Sequence, residues 1–103
     1  MLMEIQEEPK ALHETLTEVA STCGKIASEL ADEKPGLVYF CGSGTSYHAA
    51  LASHYLTSSL SSTPTNSIPA SEFDSWVRPR ATRRSAMIII SQSGESVDAL
   101  SAL

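Results

Sequence analysis

The chain has 103 residues, 42% of them hydrophobic, with a formal net charge of -5 and a pI near 5.0. That length holds one domain with a thin core, and the mild acidity argues against nucleic acid or an anionic membrane surface as partner, since either needs a broad basic face. No apolar run approaches the roughly 20 residues of a membrane span, and no basic segment leads into a signal-like apolar one, so a soluble cytoplasmic protein is expected.

Residues 1–36 read as an N-terminal helical segment and linker. After a short lead-in, Glu7-Glu8-Pro9 marks a helix start, with acids at the positive end and proline in the first turn. Leu12, Leu16, Val19, Cys23, Ile26 and Leu30 then recur at alternating four- and three-residue steps, the stripe of an amphipathic helix. Two to three heptads are short for a free coiled coil, so the stripe is expected to pack on its own domain or on a partner subunit. Asp32-Glu33-Lys34-Pro35-Gly36 ends it. The two cysteines, Cys23 and Cys41, make no disulfide framework and lack metal-ligand spacing, so both are expected as buried, reduced thiols. No metal and no cofactor is expected.

The continuous apolar run Leu37-Val38-Tyr39-Phe40 suits a buried parallel strand. It leads into Cys41-Gly42-Ser43-Gly44-Thr45-Ser46 and then into an alanine-rich helix reaching about residue 59. Tyr47, Leu51 and Tyr55 form one stripe of that helix and Ala49, Ala52 and Leu56 another. A strand that turns through glycines into a helix makes an anion site: the helix's positive end and N–H groups attract phosphate, and glycine lets the backbone come close. Thr45 and Ser46 add hydroxyl donors. His48, in the first helical turn, either touches a bound sugar or is an ordinary helix histidine; His13 and His54 read as structural or solvent-facing.

Residues 58–64 are a turn by composition. Thr65 to Pro69 reads as a short strand, placed at a sheet edge by its flanking prolines. Ser71 is expected to cap a short helix over 71–77 with Phe73, Trp76 and Val77 inward. Residues 78–84, with their four arginines, read as a solvated turn or subunit contact. A third strand, Ala86-Met87-Ile88-Ile89-Ile90, then repeats the strand-to-helix pattern through Ser91-Gln92-Ser93-Gly94-Glu95-Ser96, with a helix starting near Glu95, whose carboxylate is expected to face away from the loop.

One helix followed by three βα units implies an α/β fold with a parallel sheet covered on both faces. Ligands in such folds sit beyond the carboxyl ends of the strands. Both hydroxyl loops fall there and would converge on one small ligand. The first loop begins like a dinucleotide fingerprint, but Tyr47 stands at the third glycine, and neither a close helix–strand approach nor an acidic ribose partner is evident; the absence of Gly-Lys-Ser/Thr excludes a P-loop.

Gly-Ser-Gly-Thr-Ser-Tyr-His at 42–48, Ala-Ser-Glu-Phe at 70–73 and Ile-Ser-Gln-Ser-Gly-Glu-Ser at 90–96 resemble the SIS (sugar isomerase) domain family. Met-Glu-Ile-Gln-Glu-Glu-Pro at 3–9 resembles the start of the isomerase region in members that act on amino-sugar phosphates. The resemblance implies a three-layer, flavodoxin-like parallel sheet of SIS type, with residues 37–103 as the first half of a sugar-phosphate-binding domain and a long helix before it. It implies part of an amino-sugar phosphate isomerase/aminotransferase or deaminase acting on fructose 6-phosphate or glucosamine 6-phosphate, or alternatively a non-catalytic module that senses a sugar phosphate. Positions that bind phosphate and adjacent hydroxyls in the family match Thr45, Ser46, Ser91, Gln92, Ser93 and Ser96. Gly42 and Ser43 depart from the usual Ala-Cys of the aminotransferases, and Ser96 from a common threonine. The family's catalytic glutamate, lysine and histidine belong to later segments, so no catalytic residue is assigned. An open strand edge and an uncovered apolar face imply a homo-oligomer, with a dimer expected.

Overall fold

The computed structural model describes residues 1–80 and 84–102. They fall into two compact units, Met1–Glu33 and Lys34–Leu103. The first is a single helix, α1 (Leu2–Glu33), which contains Pro9 and starts ahead of the expected Glu7-Glu8-Pro9. Residues 2–6 are mostly good helix formers. Proline removes the bond from its own N–H and crowds the carbonyl four residues back, a cost of about 3 kcal/mol in a helix interior, yet α1 continues through Pro9. Lys34, at φ 49°, takes the left-handed conformation that closes a helix. No residue of α1 is buried. Leu12, Leu16, Val19 and Ile26 are exposed, and Cys23 shares their stripe, so the thiol expected to be buried is open to solvent.

The second unit is built on a parallel sheet of order β2-β1-β3: β1 (Leu37–Gly42), β2 (Thr65–Pro69) and β3 (Ser85–Ile90). The register pairs Gly42 with Pro69 on one side and with Ile90 on the other. The apolar run of β1 is continuous because the central strand is covered on both faces. Val38 and Phe40 meet Ala50 of α2 (Thr45–Leu60), with Ala86 and Ile90 alongside. Tyr39 and Cys41 point the other way, into a cluster with Ile68, Ala70, Phe73, Val77 and Ala102. The last belongs to α3 (Val97–Ala102), so α2 and α3 cover opposite faces and the sheet is the middle of three layers.

On α2, Ala49, Ala52, Tyr55 and Leu56 are all exposed, and the contact with the sheet is made by fully buried Ala50 with half-buried Tyr47 and Leu51. The helix lies close through its smallest residue, which turns the larger stripe residues outward. Ser71 makes no cap: Pro69 precedes a 3₁₀ turn (Ala70–Glu72) that has no side-chain cap, followed by a π turn (Phe73–Val77) and another 3₁₀ turn (Arg78–Arg80). A π turn is wider than an α turn, so Phe73 and Val77, four apart, stay together in the core, while Trp76, three from Phe73, swings out to 61% exposure. Arg78 is no free loop cation. Its Nε donates to Asp74 Oδ1 at 2.5 Å, its Nη2 to the Ser101 carbonyl at 2.7 Å, and its guanidinium lies 5.3 Å from the centre of the Phe73 ring. It ties the π turn to the end of α3. Residues 81–83 of the expected basic loop lie outside the described residues.

At the amino ends of the strands, His54 Nδ1 is 2.7 Å from Thr65 Oγ1, which also lies 2.6 Å from Ser58 Oγ. This knot fastens α2 to the start of β2, far along both elements from the carboxyl-end loops. Among the described residues, no helix is long and apolar enough to cross a membrane.

Candidate functional site

From β1 the chain crosses to β2 on one side and returns to β3 on the other, so the strand order reverses between β1 and β3. Because Gly42 and Ile90 pair, the two following loops start level with each other. They then part, one into α2 on the first face and one into α3 on the second. The gap where they part is the crevice that open α/β sheets use for ligands. Here it is a cavity of about 280 Å³, lined by Ser43, Gly44, Thr45 and Ser46 from the first loop, Ser91, Gln92, Ser93 and Ser96 from the second, and Ile90 at the strand end.

The first loop is shaped by backbone. A Cβ on Gly42 would come within 2.6 Å of the Ser46 carbonyl group and 2.9 Å of the Tyr47 nitrogen, so the first turn of α2 rests directly on the end of β1. The close helix–strand approach that Tyr47 seemed to forbid is therefore present, with its glycine on the strand. Gly44 holds φ 56° at the N-cap of α2, and no side chain caps the helix. Ser46 N–H donates to the Ser43 carbonyl at 3.0 Å and Tyr47 N–H to the Gly44 carbonyl at 3.1 Å. The first turn carries no acidic residue, so nothing on the helix neutralises its positive end.

The second loop is shaped by its own side chains. Gly94, at φ 71°, donates its N–H to Ser91 Oγ at 2.9 Å, and Glu95 N–H donates to Ser93 Oγ at 3.1 Å. These bonds hold residues 94 and 95 in the loop, which is why α3 starts at Val97 and not near Glu95. Ser91 and Ser93 each use acceptor capacity on the backbone and keep an O–H to donate.

All six residues expected at the site, Thr45, Ser46, Ser91, Gln92, Ser93 and Ser96, line this one cavity. Ser43 and Gly44, part of the loop read as an anion site but not among the six, join them, as does Ile90. Strand register was the signal that could have found Ser43, which follows the last residue of β1 as Ser91 follows the last of β3. The lining has no carboxylate, imidazole or cation; His48, Glu72 and Glu95 are exposed and are not part of it. Beneath the loop, burial pushes the Cys41 thiol above its ordinary pKa and keeps it neutral. Among the described residues no group of histidines, cysteines and carboxylates could hold a metal ion.

Fold and crevice together define a parallel α/β domain with an uncharged, hydroxyl-lined pocket at its topological switch point. Residues 29–103 match the SIS domain, and the chain belongs to that family. Over its whole length it is similar to glutamine--fructose-6-phosphate aminotransferase (isomerizing) of Methanothermobacter thermautotrophicus, at 44% identity, and to the proteins of that name from Aquifex aeolicus, at 40%, and Pyrococcus horikoshii, at 36%. The chain spans 17% of the length of each of these relatives.

Proposed function

We propose that the crevice binds a phosphorylated hexose, with its phosphate and adjacent hydroxyls held by Thr45, Ser46, Ser91, Ser93 and Ser96 and by the Gln92 amide. On this reading the chain is part of an amino-sugar phosphate isomerase/aminotransferase or deaminase acting on fructose 6-phosphate or glucosamine 6-phosphate. The observation that carries it is the lining: six hydroxyl residues from two loops around one small cavity with no charged side chain among them. Phosphate oxygens only accept, and hydroxyls with committed acceptor positions present donors to them. Each hydrogen bond to a charged group contributes about 1.5 to 3 kcal/mol, and the uncapped end of α2 adds about 0.3 to 1 kcal/mol more. A volume of about 280 Å³ suits a sugar phosphate better than a dinucleotide.

These residues supply position. Moving a carbon-bound proton needs a base within about 3 Å of it, and no lining residue is one. A second reading is a module that senses a sugar phosphate without transforming it. Either reading goes with a cytoplasmic setting, since a charged sugar phosphate does not cross a membrane unaided. Both also go with a homodimer, for which exposed Ile88 on the face of edge strand β3 offers apolar surface. Fructose 6-phosphate and glucosamine 6-phosphate are expected to raise the melting temperature, and NAD and ATP to leave it unchanged. A larger shift with NAD would overturn the assignment.

A further inference from the structure

The cavity hydroxyls are not equivalent. Ser91 and Ser93 each accept a backbone N–H and keep one O–H to give. Thr45 and Ser46 lie in the first turn of α2, where the helix's positive end draws negative charge. Ser43 has neither feature. It precedes the N-cap Gly44, and its carbonyl is taken by Ser46 N–H at 3.0 Å. Its half-buried side chain lines the cavity and has no hydrogen-bond partner among the described residues. A serine hydroxyl in that state offers one donor and two acceptor positions. Phosphate can use only the donor. A hydroxyl on carbon can use both, and in a half-buried place an unused position is a loss.

Resting on the sugar-phosphate reading above, we infer that Ser43 hydrogen-bonds a hydroxyl of the ligand's sugar and so separates phosphorylated sugars from phosphate alone. The strand pairing of Gly42 with Ile90 sets Ser43 level with Ser91. One residue at the root of each loop then faces the ligand, Ser91 toward its phosphate and Ser43 toward its carbon chain.

The test is calorimetric titration of the full chain and of Ser43→Ala and Ser43→Cys with two probes, fructose 6-phosphate and inorganic phosphate, with melting temperatures taken in parallel. Ser43→Ala is expected to weaken fructose 6-phosphate about fivefold, the loss of one neutral hydrogen bond, and to leave inorganic phosphate within about twofold. Ser43→Cys keeps the side chain's size but is a poor hydrogen-bonding group, so the same selective loss there assigns the effect to the bond and not to a hole. It also carries the test if the alanine variant fails to fold. Equal weakening of both probes would place Ser43 on the phosphate and overturn the inference, as would no weakening of either. If the unsubstituted chain binds neither probe, the sugar-phosphate reading falls too. If it binds fructose 6-phosphate and both variants match it, only the role of Ser43 falls.

Discussion

The two loops that close the crevice look alike in composition and are built in opposite ways. The first takes its shape from backbone packing: Gly42 lets Ser46 and Tyr47 rest on the strand end, and the turn's hydrogen bonds run from backbone to backbone. The second takes its shape from Ser91 and Ser93, whose hydroxyl oxygens hold the N–H groups of Gly94 and Glu95. In the first loop the Thr45 and Ser46 hydroxyls take no part in holding the turn; in the second, on the proposed reading, the oxygens that hold the loop also meet the ligand. Function and stability are therefore separable in one loop and joined in the other.

The largest effect expected from breaking this contrast is at Gly42. Any Cβ there meets backbone atoms of α2, which cannot rotate away as a side chain would. Gly42→Val is expected to destabilise the fold by about 3 kcal/mol, at the upper end for overpacking, and to move Thr45 and Ser46 together. Chemical denaturation measures the first and ligand titration the second; unchanged stability would mean that the first turn of α2 yields easily. Next comes Ser91→Ala, expected to lower stability by about 1 kcal/mol through the N–H of Gly94 left without its acceptor and to weaken phosphate-ester binding in the same variant. A loss in binding with no change in melting temperature would show the loop to be held by something other than Ser91.

How much of this was legible from residue types follows from the same contrast. Apolar runs bounded by small polar residues announced all three strands, and β2 falls on Thr65–Pro69 as expected. The hydroxyl loops were legible because serine, threonine and glycine between an apolar run and a helical pattern mark a strand-to-helix turn. Trp76 was not legible, since its outward position depends on a π turn that no single residue encodes. The inward face of α2 was hidden because its contact is made by Ala50, which carries little hydrophobic signal beside Tyr55 and Leu56. Ser43 was missed for a different reason: only the pairing of β1 with β3 sets it beside Ser91.

A smaller effect concerns Cys41, directly before Gly42. Burial raises the pKa of its thiol in the folded chain, so the folded state keeps its proton where the unfolded state, with a thiol near about 8.5, releases it. The resulting stability is fully present below that pH and is lost as pH rises through the folded value. Melting temperature is expected to fall as pH is raised from about 8.5 to 10, and Cys41→Ala should flatten that slope while lowering stability throughout. A slope unchanged in Cys41→Ala would assign the alkaline loss elsewhere. Ligand affinity, by contrast, is expected to weaken on acidification through about pH 6, the second ionisation of a phosphate monoester, because the dianion meets the donors more strongly and no lining side chain is ionisable.

The central claim is that two loops of different construction converge on one phosphate ester, and calorimetric titration of fructose 6-phosphate into the unsubstituted chain, Ser46→Ala and Ser93→Ala tests it most directly. One ligand per chain is expected, with affinity reduced by about 1 to 3 kcal/mol in each variant and melting temperature of the free chain lowered in Ser93→Ala only. Binding that is weakened by substitution in one loop and indifferent to the other would contradict a shared site.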